Sequence, residues 1–80
     1  MRYERLTLKA ERGGYTFKLL CNGYSVISGD PEEIDGYLRQ RMAEGDTYQE
    51  FAKSGKPFGG ALNFSEMRRE WATTDAFDNK

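Results

Sequence analysis

The chain has 80 residues, a formal net charge of -1 and 14% aromatic residues, so its length allows a single domain near the lower limit at which one core suffices. One cysteine excludes an intrachain disulfide and a thiolate zinc site, and the lack of histidine excludes imidazole catalysis and His-ligated metals. The apolar runs, of two or three residues, predict no membrane span, and the single cysteine favours a reducing cytoplasm.

The first predicted element is a half-buried strand. Leu6, Leu8 and Ala10 alternate with polar residues, which predicts that these three side chains face the core. The glycine-containing segment 11–14 predicts a turn back into a second strand.

The second and third strands are predicted to form a hairpin around Asn22-Gly23, because both residues tolerate positive φ. A two-residue loop at this position pairs Cys21 with Tyr24, Leu19 with Val26 and Phe17 with Ser28. The predicted core face consists of Tyr15, Phe17, Leu19, Cys21, Tyr24 and Val26. The predicted opposite face consists of Thr16, Lys18, Leu20, Ser25 and Ile27.

A helix is predicted to begin after Asp30, an N-cap carboxylate that is followed by Pro31 and by Glu33 in the capping-box position. It is expected to end near Glu44, with Gly45 at the C-terminal cap. Its predicted buried stripe is Ile34, Tyr37, Leu38, Arg41 and Met42.

The remainder of the chain predicts two further helices. The first covers residues 46–54, capped by Asp46, and a glycine-rich loop over 54–60 follows it. The second covers residues 64–73, with Asn63 as N-cap and Glu66 completing a capping box.

These elements predict an α+β fold: a three-stranded antiparallel meander followed by two or three short helices packed on one face. Residues 1–73 are expected to form one compact domain, and residues 74–80 a polar, frayed tail. The pattern leaves open the oligomeric state and whether an open sheet edge pairs with another chain.

Two segments suggest chemistry that their surroundings do not support. Loop 54–60 contains Gly-Lys, but Glu50 and Pro57 stand where a phosphate-binding Walker loop needs Gly and Ser or Thr. The carboxylates of residues 30–35 have a local structural cause at a helix N-terminus, where they interact favourably with the helix dipole. We therefore expect no metal, no cofactor and no enzymatic activity.

A basic ribbon at the N-terminus suggests nucleic-acid binding as the alternative function. It consists of Arg5, Lys9, Arg12 and Lys18. The pI of about 5.4 is far below the value typical of nucleic-acid-binding domains. Tyr15 and Phe17 would serve as stacking platforms only if their face of the sheet were exposed.

The preferred expectation is a small non-enzymatic protein-binding module, because interfaces concentrate Tyr, Trp and Arg. The predicted protein-binding residues are Trp71, Arg68, Arg69, Phe58 and Tyr48. By analogy, such a module suits a phage- or mobile-element-encoded inhibitor that blocks a larger host defence enzyme complex.

Overall fold

The chain folds into one mixed five-stranded sheet that carries two helices on one face. A computed structural model describes residues 1–78. The elements are β1 (Arg2–Lys9), β2 (Tyr15–Cys21), β3 (Tyr24–Gly29), α1 (Pro31–Arg41), β4 (Thr47–Phe51), β5 (Pro57–Asn63) and α2 (Phe64–Asp78). The strand order is β3-β2-β1-β4-β5, in which β1 and β4 are parallel and all other neighbours are antiparallel.

The predicted α+β class and the β1-β2-β3 meander are confirmed, but the predicted helix over 46–54 and loop over 54–60 are wrong. Both segments contribute strands, β4 and β5, that extend the sheet. Tyr48 and Phe51 lie three residues apart, a spacing that suits a helix face. Pairing with β1 overrides this local pattern, and Tyr48 and Phe51 then point to opposite faces of the sheet.

The predicted start of α1 is confirmed and its predicted end is wrong. Asp30 accepts a hydrogen bond from the Glu33 backbone N–H at 2.9 Å, and the Glu33 carboxylate accepts one from the Asp30 N–H at 3.3 Å. The helix ends at Arg41, with Met42 as its C-cap, so Gly45 lies in the turn before β4.

The predicted cap of α2 is confirmed, since Asn63 accepts from the Glu66 N–H at 2.9 Å and Glu66 accepts from the Asn63 N–H at 3.2 Å. The helix continues to Asp78, five residues beyond its predicted end at residue 73. Residues 79–80 of the predicted tail lie outside the described residues. The division at residue 73 and the fraying of the last residues stay predictions.

The predicted core face of β1 is wrong. Tyr3 is buried beneath the helices, and alternation along the strand therefore sends Leu6 and Leu8 to the other face. The buried core consists of Tyr3, Leu19, Ile34, Leu38, Met42, Tyr48 and Met67. A hydrophobic alternation at Leu6 and Leu8 identified the strand correctly but not the face that the helices cover.

A β-bulge changes the predicted pairing of β2 with β3. Cys21 pairs with Tyr24 as expected, but the register then shifts, and Leu19 pairs with Ile27 instead of Val26. Ile27 consequently packs against the core, while Tyr24 and Val26 are exposed. Tyr15, also assigned to the core, is 63% exposed.

Candidate binding site: an aromatic groove at one end of the sheet

An ion pair between Arg5 and Glu50 lies at the centre of the helix-bearing face of the sheet. These residues are direct neighbours on β1 and β4, and both side chains are largely buried. The Arg5 guanidinium carbon lies 4.6 Å from the centre of the Phe17 ring, a cation–π distance. Glu50 and Phe17 therefore hold the guanidinium in a fixed position.

A cleft of about 260 Å³ opens on one side of this ion pair, between α1 and α2. Asp35 and Trp71 line it from the two helices. Arg39 connects them, with its Nε 2.8 Å from the Asp35 carboxylate and its guanidinium 5.5 Å from the centre of the Trp71 ring. Arg39 thus contacts one lining residue of the cleft from each helix.

Tyr48 forms part of the floor of the same cleft and is 5% exposed. Burial raises the pKa of its hydroxyl strongly, and the nearby Glu50 carboxylate raises it further. The hydroxyl therefore stays protonated at any physiological pH.

An open groove of about 420 Å³ lies on the other side of Arg5, where no helix covers the sheet. We call it the aromatic groove; its lining consists of Arg5, Thr7, Tyr15, Phe51, Ala52, Lys53, Ser54 and Phe58. Tyr15 is 63% exposed and Phe58 is 68% exposed. Two large aromatic side chains thus border one depression without being buried themselves.

Local chain geometry holds the two aromatic residues at this end of the sheet. Phe58 follows a tight turn in which the Ala52 N–H donates to the Lys56 carbonyl and the Gly55 N–H donates to the Ala52 carbonyl, both at 2.8 Å. Gly55 has a φ of +88°, a conformation that a side chain would strain. On the floor, the Thr7 hydroxyl donates to the Phe51 carbonyl at 2.9 Å and ties β1 to β4.

The loops beside the aromatic groove are basic. Segments 9–14 and 52–56 contain four cationic side chains and one carboxylate, Glu11. The cations are Lys9, Arg12, Lys53 and Lys56, and all four are exposed. None of them forms an ion pair among residues 1–78, so their charges are available to a ligand.

The predicted protein-binding residues do not form one surface. Phe58 borders the aromatic groove, whereas Trp71 is half-buried against the core and Tyr48 is part of the core. Arg68 and Arg69 are exposed on α2, and the Arg68 guanidinium lies 5.7 Å from the centre of the Phe64 ring.

Tyr15 is the groove residue that sequence reasoning missed, because strand alternation assigned it to the core. It does share a face with Leu19, but it lies at the end of β2, beyond the reach of the helices. Its position directly after Gly13-Gly14 is the signal that could have indicated this, since the first residue of a strand lies at the sheet margin.

The predicted basic ribbon is divided between the two faces of the sheet. Arg5 is engaged with Glu50 on the helix-bearing face, and Lys18 projects from the other face. Lys9 and Arg12 remain together at the groove end of the molecule.

Three of the four acidic residues at the start of α1 have structural partners. Asp30 and Glu33 form the capping box, and Asp35 is paired with Arg39. Within the described part of the chain, no group of three or more His, Cys, Asp or Glu side chains is arranged to hold a metal ion.

Comparison of the chain with family models, with curated proteins and with solved structures finds no match. Neither helix in residues 1–78 has the length and apolar character needed to cross a membrane. Function is therefore inferred from the geometry of the surface.

Proposed function

We propose that the chain is a non-enzymatic protein-binding domain, and that the aromatic groove holds an apolar side chain of an acidic partner segment. The observation that supports this most directly is the exposure of Tyr15 and Phe58 on one depression. Water solvates such rings poorly, and covering them with a partner is favourable. Aromatic side chains also dominate the energetics of protein interfaces.

The size of the aromatic groove suits one or two side chains rather than a folded domain. Its volume of about 420 Å³ lies within the range of small ligand sites. Thr7 and Ala52 give it a shallow floor between the aromatic walls. A flexible segment of a partner protein can place a phenylalanine or leucine side chain there.

The charges around the aromatic groove favour an acidic segment. Lys53 lines the groove, Lys9 is the last residue of β1, and Arg12 and Lys56 lie in the flanking loops. None of these four cations has an ion-pair partner in residues 1–78. Carboxylates on either side of the inserted side chain would be attracted to these cations, which accelerates association and selects against basic segments.

Labelled peptides test this proposal. We expect peptides with one phenylalanine flanked by aspartates and glutamates to bind, and to shift the NMR amide signals of Tyr15, Lys53 and Phe58. Peptides of the same length with lysine flanks should not bind. Phe58→Ala should weaken binding by about tenfold or more, the loss of about 1.4 kcal/mol that removing an interface aromatic commonly causes.

The matched control is Tyr24→Ala, which removes another exposed aromatic residue, 79% exposed, from the start of β3. Binding should be unchanged in this variant. If acidic peptides shift no signals at the groove, or if Tyr24→Ala and Phe58→Ala weaken binding equally, the groove is not the binding surface.

One observation favours nucleic-acid binding as the alternative function: Tyr15 is exposed beside Lys9 and Arg12. An exposed ring among cations can stack on a base. This alternative predicts retention of single-stranded oligonucleotides that falls steeply between about 50 and 200 mM salt and is lost in Lys53→Glu. Lack of retention at low salt would remove it.

Two narrower predictions stay with the proposed function. A cytoplasmic location is favoured by the single cysteine, Cys21, which is free. A role in blocking a larger enzyme complex would follow if the acidic partner segment belonged to such an enzyme.

A further inference from the structure

The sheet face opposite the helices carries half-buried apolar side chains that lie outside the core of the described chain. We call this surface the outer face. Its large apolar residues are Leu6, Leu8, Leu20 and Phe51. All four are half-buried, and none of them belongs to the core or packs against it. Leu6 and Phe51 are direct neighbours on β1 and β4.

This apolar surface includes the parallel pair of the sheet, β1 and β4. All-parallel sheets are covered on both faces, whereas antiparallel sheets commonly expose one face to water. On β1 and β4, Tyr3 and Tyr48 belong to the core beneath the helices, while Leu6 and Phe51 on the other face lie outside that core. A partner layer on the outer face would complete the burial of Leu6 and Phe51.

Both edges of the sheet are irregular, which disfavours association by strand addition. The edge strand β3 contains a bulge opposite Leu19 and Leu20. On the edge strand β5, the register shifts opposite Gln49, whose side-chain amide donates to the Gly59 carbonyl at 3.0 Å. Bulged edges pair poorly with another chain, so a second copy would pack on the face.

We propose that two copies of this chain associate through their outer faces as a two-fold symmetric dimer. The charges on this face are self-complementary. Glu4 is the neighbour of Leu20 across β1 and β2, and Leu6 is the neighbour of Lys18. These four side chains form a near-square, because adjacent strands lie about 4.8 Å apart and alternate residues about 6.7 Å apart.

The two diagonals of the square differ in character: one joins Leu6 to Leu20, and the other joins Glu4 to Lys18. A two-fold axis along the leucine diagonal places each of these leucines opposite the same leucine of the other chain. The same axis places Glu4 of each chain opposite Lys18 of the other. Lys18 has no ion-pair partner among the described residues, and Glu4 is paired only with the exposed Arg2.

This axis also fixes how the two sheets cross. A rotation by 180° about the leucine diagonal leaves the strands of one copy at an angle of roughly 70° to the strands of the other copy. Near-perpendicular crossing is one of the two established classes of sheet packing. An isologous contact of this kind closes on itself and does not propagate into a fibre.

Sedimentation velocity over about 5–500 µM protein is the first test. We expect the wild-type mass to rise from that of one chain to that of two. Leu6→Glu should remain a monomer across the range, while retaining the wild-type circular dichroism spectrum. Gln40→Glu, which adds a charge to the exposed surface of α1, should dimerise as the wild type does. A wild-type protein that stays monomeric at 500 µM overturns the proposal.

Exchanging charges tests the arrangement itself. Glu4→Lys and Lys18→Glu should each weaken self-association about tenfold or more, because each places like charges opposite one another. An equimolar mixture of E4K and K18E should form dimers again, since every facing pair is then of opposite sign. Failure of the mixture to associate, or dimerisation of the single variants at wild-type affinity, overturns the two-fold arrangement. Neither result bears on Tyr15 and Phe58 of the aromatic groove, which lie on the helix-bearing face.

Discussion

Asp46 is the buried carboxylate that joins the start of the chain to the turn before β4. One of its oxygens lies 2.7 Å from the Met1 amino group, and the other accepts from the Ala43 backbone N–H at 3.0 Å. The bond to the amino group, followed by the bond to Ala43, lowers the pKa of Asp46 below its usual value of 3.8. Both bonds favour the charged carboxylate, so ionised Asp46 stabilises the folded state.

This lowered pKa predicts how stability depends on pH. Because the folded-state pKa lies below the unfolded-state value, the contribution of Asp46 is complete above pH 4 to 5 and is lost as pH falls through the folded-state pKa. Asp46→Asn should lower the free energy of unfolding by about 1–2 kcal/mol at neutral pH. In urea denaturation from pH 7 to pH 2, the difference from wild type should shrink below about pH 4. Glu44→Gln, at an exposed carboxylate with no ion pair in residues 1–78, should show no such convergence.

At the scale of elements, the start of α1 depends on a glycine that leaves room for its cap. A side chain at Gly29 would overlap the Glu33 carboxylate, which accepts from the Asp30 N–H. Gly29→Ala should therefore displace Glu33 and lower the free energy of unfolding by about 1–2 kcal/mol, through loss of half the capping box and backbone strain at φ +155°.

The same substitution within α1 should have the opposite effect. Gly36 has open space where a Cβ would lie, and glycine inside a helix costs roughly 0.5–1 kcal/mol relative to alanine. Gly36→Ala should raise the urea midpoint, while Gly29→Ala lowers it. A Gly29→Ala variant with the wild-type urea midpoint or a higher one would contradict a contribution of the cap to stability.

The elements also show which parts of the structure the sequence can predict. Asp30 and Asn63 correctly predict the starts of the two helices, because an N-cap depends only on residues within one turn of it. Strand β4 escaped prediction because its parallel partner, β1, lies about 45 residues away along the chain. Long-range pairing leaves no local signal, and a capping signature at Asp46 suggested a helix instead.

The residues of the candidate site were likewise predictable only in part from the sequence. Phe58 is predicted from the sequence as a protein-binding residue, and it is exposed and borders the aromatic groove, while its role in binding stays a prediction. Tyr15, its counterpart across the aromatic groove, was assigned to the core because alternation defines the face of a residue but not how far the helices extend over it. The face that the helices cover follows from the position of Tyr3 and Tyr48, which only the assembled sheet determines.

At the scale of the whole molecule, the two faces of the sheet differ in burial. All seven buried hydrophobic residues in the described chain lie between the sheet and the helices, so the core of the monomer is on this side. The large apolar residues of the outer face are only half-buried. Surface on that side is available for a partner layer, while the groove end of the helix-bearing face is available for a ligand.

Two adjacent leucines on β2 allow the two faces of the sheet to be compared by experiment. Leu19 is 0% exposed and points to the helices, whereas Leu20 is half-buried on the outer face. Leu19→Ala should lower the free energy of unfolding by about 2–5 kcal/mol, because it leaves a cavity in the core. Leu20→Ala, measured by urea denaturation at about 1 µM protein, should cost less than Leu19→Ala, since Leu20 is partly exposed and its truncation leaves no enclosed cavity. At several hundred micromolar the wild-type midpoint should rise and that of Leu20→Ala should not, because only a dimer makes stability depend on concentration. A loss as large as that of Leu19→Ala at the low concentration would place Leu20 in the monomer core and contradict the division of the two faces.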